Sequence, residues 1–177
     1  MISGKVWKFG DFISTDLMMP GPASALSENE QMKWVFQANR PGWAGEVAAG
    51  DIIIGGKSYG VGSGRPASRS LRNLGVACLL AESITRLFFR NSVNFGLLAL
   101  ECPGISTAFE EGQIAEVSVN DWTVRNASTG TVLKILPIPE ALVALMQSGG
   151  VFPLLEREGL VGPRPDPSGT TVSSVRP

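Results

Sequence analysis

GDIIIGGKSYGVGSGRPASRSLRNLGVACLLAESITRLFFRNSVNFGLLALE, residues 50–101, contains two continuously apolar runs, a glycine-serine loop and two helical patterns. DIIIGG (51–56) has the β-propensity of a strand and is closed by a glycine pair. The loop GKSYGVGSGR follows. From Pro66 the period changes: Ala67, Leu71 and Leu74 fall at i, i+4 and i+7, on one helical face. Pro66 suits a first turn, where its missing N–H would be unbonded anyway, and Gly75 closes the helix. VACLLA (76–81) is apolar throughout, as strands covered on both faces are. A second helix is expected over SITRLFFRNSVNFG (83–96), ended by Gly96, and a further strand over LLALE (97–101). Strand, loop, helix, strand, helix, strand is an α/β unit with right-handed crossovers.

Upstream, KVWKFG (5–10) alternates like a half-buried strand. In DFISTDLMMPGPASALS (11–27), Pro20, Gly21 and Pro22 call for irregular backbone. NEQMKWVFQANR (29–40) reads as a short helix ended by Pro41 and Gly42. Downstream, IAEVSVN (114–120), DWTVRN (121–126) and TVLKILPI (131–138) read as antiparallel hairpins, with turns at Asn120-Asp121 and at 126–130. PEALVALMQSGG (139–150) reads as the final amphipathic helix. From Gly159 the chain is rich in Pro, Gly and Ser, so the expected division is a domain over 1–158 and a disordered tail over 159–177.

The 177 residues suit one domain with a sizeable core, and 44% hydrophobic against 18% charged residues indicates a globular chain. A formal charge of -1 gives no basic face for nucleic acid. No apolar run reaches the roughly 18 residues needed to cross a bilayer. The start, MISGKVWKFGDF, has no signal-peptide h-region, and a cytoplasmic location is expected. Two distant cysteines, Cys78 and Cys102, and no histidine exclude a self-contained zinc or iron-sulfur site. With no histidine, a general base must be a carboxylate, lysine, tyrosine or activated hydroxyl.

A glycine-rich loop between a strand and a helix start offers backbone N–H groups to an anion, and Ser63 and Arg65 add a hydroxyl and a bidentate carboxylate clamp. GVGSGR lacks the GK[ST] ending of a P-loop, and GVGSGRPAS lacks the third glycine of the dinucleotide fingerprint. A tight strand-to-helix turn whose glycines meet local sterics is an equal reading of the same residues. Asp16 reads either as a site carboxylate or as a turn cap. Trp34 and Trp43 lie in the segment expected to meet a partner.

TDLMMPG (15–21), GDIIIGGKSYGVGSGR (50–65), LRNLGVACLLAESITRLFFRNSVNFGLL (71–98) and VRNASTG (124–130) occur in the order in which similar blocks occur in small subunits of 3-isopropylmalate dehydratase and related aconitase-superfamily hydro-lyases. The resemblance spans roughly residues 2–158. It implies a three-layer β/β/α swivelling domain, an α/β fold with a mixed sheet plus antiparallel hairpins. It also implies a partner, a large subunit holding a [4Fe-4S] cluster, over which this domain closes in a heterodimer or heterotetramer. The implied substrate is a small 2-hydroxy di- or tricarboxylate, 3-isopropylmalate-like, and leucine biosynthesis is the family's setting. Carried over residue by residue, Ser63 matches the serine that removes a proton from the substrate carbon. Arg65 matches the arginine that grips a carboxylate and supports that serine. Gly62 and Gly64 would offer backbone donors, and Asp16 with Thr15 matches the TD pair of the same site.

The chain also departs from the family pattern. Gly64 stands where a second serine is usual, and Pro66 and Ala67 replace a Glu-His pair. The stretch from Arg65 to Leu71 is about one residue short, which makes Arg69 a candidate substitute clamp. GPASAL (21–26) replaces a tyrosine-leucine-containing recognition loop. The competing readings are a non-catalytic anion-binding or regulatory module and a subunit of a lyase that uses a metal ion instead of a cluster.

Overall fold

A computed structural model describes residues 1–62 and 64–162. Seven strands form one mixed sheet: Ile2–Lys8 (β1), Ile52–Gly55 (β2), Cys78–Ala81 (β3), Ala99–Glu101 (β4), Ile114–Ser118 (β5), Thr123–Asn126 (β6) and Val132–Lys134 (β7), in the order β4-β3-β2-β1-β5-β6-β7. β1 joins the two halves. It runs parallel to β2, with Val6, Trp7 and Lys8 opposite Ile52, Ile53 and Ile54, and antiparallel to β5. β3 and β4 continue the parallel half, and β5, β6 and β7 are an antiparallel meander.

The two halves differ in burial as their sequences require. β2 and β3 are buried at every position, because helices cover both faces. β5 alternates, with Ala115 and Val117 inward and Ile114 facing solvent. Successive side chains on a strand point to opposite faces, so each strand of the parallel half feeds two cores. Ile53, Leu79, Ala81 and Ala99 join Trp7, Met18, Phe36, Trp43, Ala67, Leu71 and Phe88 on one face. Ile52, Ile54, Cys78, Leu80 and Leu100 join Phe109, Val117, Val124, Ile135 and Met146 on the other. An α/β fold built on a mixed sheet with hairpins is therefore what the chain adopts.

The helices are Thr15–Met18 (α1), Glu28–Lys33 (α2), Trp43–Glu46 (α3), Ala67–Asn73 (α4), Arg86–Phe95 (α5), Ile105–Ala108 (α6), Glu140–Gln147 (α7) and Val151–Arg157 (α8), with a 3₁₀ turn over Gly21–Ala25. Several boundaries differ from the sequence reading. The helix expected over 29–40 starts at Glu28 under a Ser27/Glu30 capping box and stops at Lys33. Phe36 then takes a left-handed conformation (φ 58°), which no helix continues through. α5 begins at Arg86, three residues later than expected, since Ile84 is drawn into a parallel bridge with Tyr59. α8 was not anticipated. Gly149 and Gly150, both at positive φ, reverse the chain after α7, and Pro153 sits harmlessly in the new first turn. Trp43 is fully buried in the core, which removes it as a partner-facing residue and leaves Trp34, 42% exposed. Of the tail expected over 159–177, residues 163–177 lie outside the described residues.

Candidate functional site

β1 and β2 are parallel neighbours, so the chain leaves both at the same edge of the sheet. The carboxyl ends of parallel strands are where open α/β sheets commonly hold ligands. Here the two exits are laced together. Phe12 N–H donates to Lys57 O (2.8 Å), Gly60 N–H to Ile13 O (2.8 Å) and Thr15 N–H to Val61 O (2.7 Å). The segment after β3 pins the loop from the other side: Tyr59 N–H donates to Ser83 O (2.9 Å), and Thr85 donates through its hydroxyl to Gly60 O (2.7 Å). Tyr59 is wholly buried and meets Phe88 edge-on at 5.7 Å. Burial drives its phenol pKa far upward, so the chain's one tyrosine anchors the loop and is no base at neutral pH.

Thr15, Asp16, Gly62 and Arg65 meet at this edge. Ser14 caps α1 by accepting from Leu17 N–H (3.1 Å), which sets Asp16 in the first turn, 54% exposed at its side chain. Arg65 donates from Nε to Asp16 Oδ1, a bond between loops of β1 and β2. Its Nη1 donates to Ser24 Oγ (3.2 Å). Gly62 (φ +113°) comes so close to the β1 loop that a Cβ there would lie 3.0 Å from Thr15 Oγ1 and 3.5 Å from Asp16 Oδ2. Gly64 stands apart from this crowding. A Cβ there would make ordinary contacts with Asn91 Nδ2 (3.5 Å) and Leu87 (3.8 Å), both on α5. Ser63 lies outside the described residues.

Arg69 is not brought to this group. It pairs with Glu28 Oε1 (3.0 Å), donates from Nη2 to Gln31 Oε1 (3.0 Å), and its guanidinium lies 5.5 Å from the Phe95 ring centre. One residue of this group escaped the sequence reading. Ser24 sits in a segment with no periodic signal, and nothing local marks its contact with Arg65.

Neither thiol suits metal ligation. Burial pushes the Cys78 pKa upward, and burial together with the nearby Glu82 charge pushes Cys102 up to about 12, so both stay protonated. No group of three or more His, Cys, Asp or Glu able to hold a metal ion occurs among the described residues. No helix among them is long and apolar enough to cross a membrane.

Known proteins share this arrangement of sequence and fold. The model of the aconitase C-terminal domain matches residues 25–104. A 3-isopropylmalate dehydratase small subunit from Methanopyrus kandleri is 38% identical over 161 residues, which is 90% of this chain and 95% of that protein. An isopropylmalate/citramalate isomerase small subunit from Methanocaldococcus jannaschii is also 38% identical, over 89% of this chain and 95% of its own length. A crystal structure described as 3-isopropylmalate dehydratase from Methanocaldococcus jannaschii superposes with a TM-score of 0.81 at 25% identity, covering 90% of this chain and 95% of that one. With its sheet, its paired loops and this degree of identity along nearly the whole length, the chain belongs to the 3-isopropylmalate dehydratase small subunits of the aconitase superfamily.

Proposed function

We propose that the chain is the small subunit of a two-chain aconitase-type hydro-lyase that dehydrates and rehydrates, and so isomerises, a 2-hydroxy di- or tricarboxylate of the 3-isopropylmalate kind. The relatives named as dehydratase and isomerase small subunits support this reading over a non-catalytic module. The observation that carries it to this chain's own residues is the Arg65–Asp16 pair, which brings the glycine loop and the TD turn into one site. Dehydration takes a proton from one carbon and a hydroxide from its neighbour. Ser63 would accept the proton, assisted by backbone N–H groups of Gly62 and Gly64 that favour its ionised form. Arg65 would grip a substrate carboxylate, with Asp16 fixing its Nε end, and Thr15 would line the same pocket.

This chain's protonated, buried thiols do not fit a cluster, so the group assisting hydroxide departure belongs to the partner. An iron-sulfur cluster on a large subunit would supply that Lewis acid. Two unpaired buried cysteines suit a reducing, cytoplasmic setting.

The test is reconstitution with a large subunit under anaerobic conditions, followed by turnover of 3-isopropylmalate. Ser63→Ala is expected to lower kcat by about 10²–10⁴, the usual contribution of a positioned base, with complex formation intact. Retention of most activity would remove Ser63 from the role of base.

A further inference from the structure

α2 presents one buried polar side chain, Gln31, 3% exposed, toward the 3₁₀ turn that follows the TD site. Both hydrogens of its amide are committed to that turn, with Nε2 donating to Ser24 O (3.2 Å) and to Leu26 O (2.9 Å). Its Oε1 accepts from Arg69 Nη2, and Arg69 is itself held by Glu28. The turn in its own right is weakly built. It has no side-chain cap, it opens on Gly21-Pro22, and its closing hydrogen bonds are Ala23 N–H to Pro20 O (3.0 Å) and Leu26 N–H to Ala23 O (3.1 Å).

Arg65 lies against this turn. Its Nη1 donates to Ser24 Oγ, and a Cβ on Gly21 would stand 3.4 Å from both Nη1 and Nη2. A guanidinium carries five N–H donors in a rigid fork. Asp16 takes one through Nε, and Ser24 takes one on Nη1. These two contacts fix the plane of the group and determine which of its remaining donors are presented for a bidentate grip.

We propose that Gln31 is a positioning residue for Arg65: it locks the Gly21–Ala25 turn, and Ser24 relays that lock to the guanidinium. The inference rests on the reading of Arg65 as the carboxylate clamp and goes beyond it in naming what aims the clamp. A buried glutamine that merely satisfied a core position would influence stability alone. One that aims Arg65 influences substrate binding.

The test uses the complex reconstituted with its large subunit and measures KM and kcat for 3-isopropylmalate alongside the thermal midpoint. Gln31→Glu keeps an acceptor for Arg69 but has no donor for the two carbonyls. Ser24→Ala removes the relay with little demand on folding, and Ser24→Thr keeps the hydroxyl. Gln31→Glu and Ser24→Ala should each raise KM roughly five- to tenfold, the scale of one net hydrogen bond, with kcat within about twofold. Ser24→Thr should restore KM. The double variant should be no worse than the worse single one, since the two residues act in series. Arg65→Ala, run beside them, should raise KM about a hundredfold or more. If Gln31→Glu lowers only the thermal midpoint, or the two effects simply multiply, the relay is wrong while the Arg65 reading stands. An Arg65→Ala enzyme with unchanged KM would bring down the clamp, and the relay with it.

Discussion

The glycines of the site loop are not equivalent, and the difference decides between a steric and a chemical reading of the loop. Gly60 has φ +84°, and a Cβ there would fall 2.3 Å from the Phe88 side chain, which is itself fully packed. Its presence follows from sterics. Gly60→Ala should therefore lower stability by about 2–4 kcal/mol in urea unfolding, combining an unfavourable backbone conformation with overpacking. A Cβ on Gly64 would meet no close neighbour. Gly64→Ser should change stability by no more than about 0.5 kcal/mol, and a larger loss would return Gly64 to the steric reading. Arg65 is the other residue whose chemistry can be separated from its bulk. Lysine keeps the charge but cannot bond Asp16, Ser24 and a carboxylate from one planar fork. Arg65→Lys should weaken substrate affinity about tenfold or more, and an unchanged KM would mean that charge alone suffices at this position.

At the scale of elements, what could be read from the sequence tracked how locally each element is determined. β2 announced itself as an apolar run closed by a glycine pair and β3 as an apolar run after Gly75, and α5 ends at Gly96 in a left-handed conformation. α2 was overextended because the apolar pattern through Trp34 and Phe36 continues past the point where Phe36 turns left-handed to reach the core. α8 was missed because a proline three residues into a short apolar segment looks like a breaker unless the preceding glycines are recognised as the start of a new helix. In the site, the Thr15–Asp16 turn and the Gly62–Arg65 loop were legible as separate motifs. The Ser24 contact was not, since it spans 41 residues and depends on the path of an irregular segment. VRNASTG turns out to build the fold. Asn126 is fully buried; its Nδ2 donates to Ala108 O (2.9 Å) and Gln113 Oε1 (2.7 Å), and its Oδ1 accepts from Ser128 and Thr129 N–H. Asn126→Ala should cost about 2–4 kcal/mol in chemical denaturation, because it leaves several buried partners unsatisfied. A loss below about 1 kcal/mol would show that water or a local rearrangement replaces them.

Across the whole molecule, two carboxylates tie together segments that the sheet alone leaves separate. Glu82, just after β3, accepts from Gly104 N–H (2.7 Å), Ser106 N–H (2.8 Å) and Ser106 Oγ (2.6 Å), and so holds the start of α6. Glu111 accepts a two-pronged bond from Arg40, 2.7 Å on each oxygen, while Arg40 lies 4.7 Å from the Trp7 ring centre. Burial alone would raise the Glu82 pKa, but the hydrogen bonds from Ser106 and Gly104 and the charge of Lys57 outweigh it and leave the group below the usual carboxylate range. Glu111 is lowered chiefly by its hydrogen bond from Arg40. A carboxyl whose folded pKa lies below its unfolded value of about 4.3 binds fewer protons when folded. Its stabilisation is complete above that unfolded value and is lost as the pH falls through the lower, folded one. Unfolding free energy should therefore be level near neutrality and decline from about pH 5 downward. Glu82→Gln should cost about 1–2 kcal/mol at pH 7, and the gap to the parent should narrow toward pH 3, below the unfolded carboxyl value, where protons compete for the folded group's lowered pKa. Urea titrations at both pH values read this directly. A gap that stays constant with pH would mean that Glu82 contributes shape and hydrogen bonding to the α6 junction, with no part played by its charge.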